Sequence, residues 1–209
     1  LGVADDSVLM VGLFQFQGDN NIATVSLDIG GDVFNLSELE FVESSNNNDL
    51  NLYWFGAEIG TIGSATTGDL SVDLGNSTKG TAFAYQVSNA SIDPGFLTFA
   101  ETGTKGVALT VPGLPAGSSV LDIQVDGGSN ASLSPYGSPT SYNSLIAPGN
   151  RGLYSGYYEG VSGDVTAGYN NQAAQASLAV GLAPVPEPSV YGAVMGALAL
   201  LLCLRRRRR

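Results

Sequence analysis

A chain of 209 residues has room for one domain with appendages, and its charged fraction of 13% is about half that of an average soluble protein. Residues 1–185 carry 18 acidic side chains against Lys79, Lys105 and Arg151, so this body repels nucleic-acid phosphates, and nucleic-acid binding is not expected. Histidine is absent, which removes Ser-His-Asp and Cys-His catalysis and the commonest metal ligand, and the only cysteine, Cys203, can form no intramolecular disulfide.

The chain starts at Leu1. Val8 to Phe16 is apolar, but Asp5 and Asp6 precede it where a signal peptide needs basic residues, so an export signal is expected upstream of Leu1. Short runs of alternating or β-branched character then follow one another, separated by turn signals about every 8–12 residues. In Ile22–Ile29, Val25, Leu27 and Ile29 share a face and Gly30-Gly31 ends the run. Leu50 to Phe55 follows the turn cluster Asn46 to Asp49. Asp69 to Leu74 alternates strictly, and Thr81 to Val87 reads the same way through Phe83, Tyr85 and Val87. Further strands are expected over Phe96–Ala100, Val107–Val111 and Val120–Val125. Residues 127–152, rich in Gly, Ser, Pro and Asn, read as a long loop region. Gly152–Val165 returns to strand, and Ala176–Leu182 is a final strand leading to the tail. No apolar 3.6-residue period persists for three turns in residues 1–172, and no internal repeat stands out.

The last 25 residues have a different character. Pro186, Glu187 and Pro188 form a stiff, extended stub, because each proline fixes its own φ and pushes the residue before it away from helical geometry. Ser189 is placed to cap a helix starting at Val190. Val190 to Leu204 is a run of 15 residues without a charge. As a helix it spans about 22 Å, short of a hydrocarbon core of roughly 30 Å by a gap that snorkelling and local thinning can cover. Arg205, Arg206, Arg207, Arg208 and Arg209 close the chain and orient such a helix with its C-terminus in the cytoplasm. A buried core helix has a similar length, but it would rarely end in five adjacent like charges.

Pro-Glu-Pro, an apolar run and a basic cluster, in that order, resemble the PEP-CTERM sorting signal of many Gram-negative and related bacteria. The resemblance covers about 24 of the 209 residues. It implies recognition by an exosortase, an integral-membrane cysteine protease that processes the chain at or near the motif. Pro186, Glu187 and Pro188 would then be the recognition element and Val190–Leu204 a transient anchor. Members of that family carry unrelated bodies, so the resemblance implies no activity for residues 1–184.

Within the body, hydrolysis would require a carboxylate pair. Glu38 and Glu40 share a face if Leu39 sits mid-strand, while Glu58, Glu101 and Glu159 are scattered. Asp28 with Asp32, and Asp126 with Asn130, flank Gly-Gly turns and offer oxygen ligands to Ca2+. Neither pair has EF-hand spacing, and ordinary Asx-turn chemistry is the stronger reading. Six of the nine tyrosines fall within residues 136–169. Tyr154, Tyr157 and Tyr158 are the candidates for stacking on sugar rings, set against packing of strand tyrosines over a sandwich edge.

The expectation is therefore an all-β, sandwich-like domain over residues 1–172, a last strand or linker over 173–184, and a sorting tail with its helix over 185–209. The expected role is that of an exported, non-enzymatic structural or adhesive protein of the cell surface or extracellular matrix, with no cofactor. Its partners would be the processing protease and the membrane. The alternative is a carbohydrate-binding module that takes polysaccharide through the Tyr-rich region.

Overall fold

A computed structural model describes residues 7–16, 24–43, 50–60, 67–74, 79–101, 108–126, 134–147, 150–170 and 174–185. These residues are all-β, with no helix among them. The strands in chain order are β1 (Ser7–Phe16), β2 (Thr24–Ile29), β3 (Asp32–Asn35), β4 (Ser37–Glu43), β5 (Leu50–Ile59), β6 (Asp69–Asp73) and β7 (Lys79–Ser88). They continue with β8 (Ala90–Glu101), β9 (Leu109–Asp126), β10 (Ser134–Pro135), β11 (Ser141–Ala147), β12 (Arg151–Ala167), β13 (Tyr169–Asn170) and β14 (Ala174–Pro184).

A four-stranded antiparallel sheet, β4-β5-β1-β7, forms the middle layer. On one face it meets a five-stranded sheet, β11-β12-β9-β14-β8; on the other, a three-stranded sheet, β3-β2-β6. The result is sandwich-like with a third layer added. Because the middle sheet is covered twice, its central strands lose the apolar–polar alternation of a half-exposed strand. Every residue of β1 from Ser7 to Gln15 is buried. Val8, Met10 and Phe14 enter the core shared with the five-stranded sheet, and Leu9, Val11 and Leu13 the core shared with the three-stranded one. β5 divides in the same way, Leu52 and Trp54 to one side, Tyr53 and Phe55 to the other. Gly12 sits opposite Trp54, and a Cβ there would lie 2.9 Å from the indole ring.

Polar contacts tie the layers as well. The buried Gln15 amide donates to the Leu74 carbonyl at 3.0 Å, and its oxygen accepts from Asn51 and from the Tyr53 hydroxyl, both at 3.2 Å. On the other side the Tyr85 hydroxyl donates to Ser155 Oγ (2.6 Å), which donates to the Asp122 carbonyl (2.7 Å). These two relays fix the outer sheets against the middle one.

Val25, Leu27 and Ile29 of β2 point into the core as their alternation requires. Gly30 and Gly31, at φ +64° and +100°, make the two-residue β2–β3 hairpin loop, and Asp28 Oδ1 accepts from Gly31 N at 2.8 Å. In this turn the Asp28 carboxylate serves the backbone.

Leu109–Val111, from the run expected over Val107–Val111, and the run expected over Val120–Val125 belong to one 18-residue strand, β9. Register shifts against β12 between Tyr158 and Val165 bend this pair, so that Val111 and Leu114 curl back over Gly181 of β14. They pack there with Tyr158 and Ala179 in a third, smaller core. The stretch 127–152, expected to be a long loop, holds β10 and β11 among its described residues. Its Ser and Asn content reflects exposure, since β11 is an edge strand, exposed along most of its length. β14 lies inside the five-stranded sheet, between β9 and β8. Just past it, Val185 N donates to the Asn89 carbonyl at 2.9 Å.

Candidate functional site

A buried group of titratable side chains lies on the face of the five-stranded sheet turned away from the middle layer. Along β9, Leu121, Ile123 and Val125 point into the inter-sheet core, so alternation sends Asp122, Gln124 and Asp126 the other way. Instead of meeting solvent these three are buried, at 1%, 0% and 2% exposure. The curled end of β12 and the residues that follow it cover them.

The neighbours of Asp122 across the strands are small, Gly156 on β12 and Ala179 on β14. A Cβ at Gly156 would stand 2.6 Å from Asp122 Oδ1 and 2.9 Å from the Tyr169 hydroxyl, so only glycine leaves room for the carboxylate. Oδ1 accepts the Gly156 N–H and Oδ2 accepts the Gly168 N–H at 2.6 Å. Gly168, at φ +95°, is where β12 turns over the sheet. The Tyr158 hydroxyl lies 3.5 Å from Oδ2 and donates to the Tyr136 carbonyl at 3.0 Å. One rung along, Gln124 Oε1 accepts the Tyr169 N–H at 2.9 Å. Asp122 and Gln124 therefore pin the segment 168–169 to the sheet.

Burial pushes the Asp122 carboxyl up to about 6, against the opposing effect of the bonds from Gly168, Gly156 and Tyr158. These donors are neutral, so none offsets desolvation as a cation would. Tyr158 and Tyr169 are raised in turn, by burial first and then by the Asp122 charge. Three buried polar atoms beside this clamp, Gln124 Nε2, Tyr169 Oη and Ser177 Oγ, have no hydrogen-bond partner among the described residues. The Tyr154 and Tyr142 rings flank Tyr169, with centroids 5.5 and 6.5 Å from it. Hydrogen-bonded to backbone amides and shut from solvent, Asp122 is arranged to hold the chain together.

No family model, curated protein or solved structure matches this chain. The site has to be read from its own geometry.

The three tyrosines singled out for sugar stacking do not share a surface. Tyr154 and Tyr158 lie in the buried cluster, 5% and 3% exposed, so neither ring offers a free face. Tyr157 points the other way and packs against the inter-sheet core, its ring 6.4 Å from that of Tyr85. Packing accounts for all three. Tyr142, 57% exposed on β11, is the tyrosine of the group that reaches solvent most.

Glu38 and Glu40 do not share a face. A register shift between them sets Glu38 opposite Phe55 and Glu40 opposite Trp54, on opposite sides of the sheet. The extra residue of this bulge reverses the alternation that the pair would need. Among the described residues no group of three or more Asp, Glu, His or Cys is placed to hold a metal ion. Asp126 is buried at the end of β9, and Asn130 lies outside the described residues. Pro186, Glu187, Pro188, the run Val190–Leu204 and Arg205 to Arg209 lie outside them too.

Sequence reasoning missed Asp122 and Gln124. Leu121-Asp-Ile-Gln-Val-Asp126 alternates as a strand with one wet face would, and nothing local says that the polar face is covered. The signals lie elsewhere in the chain, in Gly156 and Gly168 amid a tyrosine-rich stretch.

Proposed function

We propose that this chain is an exported structural or adhesive protein of the cell surface or extracellular matrix, delivered by a C-terminal sorting signal of the exosortase-processed kind. The observation that carries the reading is the order of parts in residues 185–209, Pro-Glu-Pro, then 15 uncharged residues, then five arginines. Residues 190–204 act as a transient membrane helix, with Arg205 to Arg209 holding its end in the cytoplasm. The placement of β14 supports this arrangement. The last described strand ends at Pro184 and Val185 is 45% exposed, so Pro186 follows directly on the folded body. A cut within residues 186–189 spares every described strand.

The body acts by its fold and surface, without catalysis. The lack of histidine and the separation of Glu38 from Glu40 support this. Carbohydrate binding through Tyr154, Tyr157 and Tyr158 has less support, because two of the rings are buried and the third faces the core. C-terminal mass spectrometry of the native surface form tests the main reading. The mature chain is expected to end between Pro186 and Ser189; recovery of intact Arg209 on the surface form would refute processing.

A further inference from the structure

The five-stranded sheet ends at β11, which among the described residues pairs with β12 alone. Its seven residues, Ser141-Tyr-Asn-Ser-Leu-Ile-Ala147, contain neither a charge nor a proline. Tyr142, Ser144 and Ile146 occupy one face of it, with Tyr142 57% and Ile146 65% exposed. An open strand edge with bare apolar side chains is a template for another strand unless something blocks it.

The other sheet edges are blocked or bare of such groups. β4 carries Glu38 and Glu40, and β8 carries Asp93 followed by Pro94. β3 bears the exposed Val33 (61%), but it is only four residues long and begins at Asp32, and β6 is bracketed by Asp69 and Asp73. β7 begins at Lys79 and exposes only alanines, Ala82 and Ala84, along its middle.

We infer that β11 is a self-association edge, and that its occupant is the β11 of a second copy, paired antiparallel about a two-fold axis at Ser144. Charge permits this occupant at β11. The chain carries a net charge of −11, so two copies repel wherever carboxylates meet, and β11 brings none of its own. A cationic partner would find its complement on β4 or β6 and nothing on β11. The strand is also self-complementary. Centred on Ser144, the two-fold places Tyr142 opposite Ile146 of the partner subunit, and the reciprocal pair repeats on the other side. Such aromatic–β-branched pairs are among the favourable cross-strand contacts, and a two-fold interface repeats each of them. The resulting sheet of ten strands runs continuously through both copies.

This inference is independent of the sorting signal, and the full chain in mild non-ionic detergent tests it. Sedimentation velocity is expected to give twice the chain mass for the wild type and the single-chain mass for Ile146→Lys, with unchanged circular dichroism and melting. In a Cys203→Ser background, Ser144→Cys is expected to form a disulfide dimer on mild oxidation, while Ser71→Cys, exposed on β6, stays monomeric. A monomeric wild type, an association that survives Ile146→Lys, or failure of Ser144→Cys to cross-link overturns the proposal. Association through the apolar tail would persist in Ile146→Lys, so the two sources separate.

Discussion

Asp122 is the residue on which the outer face of the five-stranded sheet depends. Its carboxylate joins two backbone amides, those of Gly156 on β12 and of Gly168 just beyond it. Burial raises its pKa from 3.8 to about 6, so between these values the folded chain holds a proton that the unfolded chain has released. Folding is favoured at this position below the unfolded value, and that contribution is lost as pH rises through about 6. Relative to Asp122→Asn, the wild type is therefore expected to lose stability between about pH 4 and pH 7, by an amount on the order of 3 kcal/mol. Urea denaturation of the two proteins across that range measures it; a constant difference would contradict the raised value. Other carboxylates, being common to both proteins, drop out of the comparison.

At the level of the elements, the middle sheet is set by β1 and β5 packing as a pair. Gly12 and Trp54 face each other across them, and Trp54 is fully buried. Gly12→Ala drives a methyl into the indole, and a cost of about 1–3 kcal/mol is expected. Trp54 is the only tryptophan in the chain, so its fluorescence should shift in the native state of this variant alongside the drop in denaturation midpoint. Strands with one face wet were legible in the sequence: β2, β6 and β7 alternate as read, because one side of each meets solvent. β1 was not, since a strand covered on both faces carries no period, and its apolar run resembled the core of a leader segment. β9 was read as two strands because Pro112, Gly113, Pro115 and Gly117 look like a turn. In the fold they make the bulged bend that curls this arm over the sheet. The buried clamp was illegible for a related reason, as its cover comes from residues some 45 positions away from Gln124, at Tyr169.

On the scale of the whole molecule, the last described strand, β14, ends at Pro184. A chain ending at residue 185 is expected to melt as the full chain does, since every described strand is retained. A chain ending at residue 173 loses Leu178, Val180 and Leu182, each 0% exposed. At about 2–5 kcal/mol for each large side chain removed, the loss matches the whole stability of an ordinary domain, and this chain should not fold. Thermal melts followed by circular dichroism distinguish the two. A cooperative transition in the shorter chain would show that the five-stranded sheet closes without β14.

The position of β14 also sets the timing of folding. Synthesis runs from the N-terminus, yet the slot between β9 and β8 is filled by the last of the described strands to be made. Until residue 184 is free, β8 and β9 each expose an unpaired backbone row, and Leu121, Ile123 and Val125 lack their neighbours. The five-stranded sheet of a growing chain therefore stays open until β14 arrives, and it becomes hard to unravel only then.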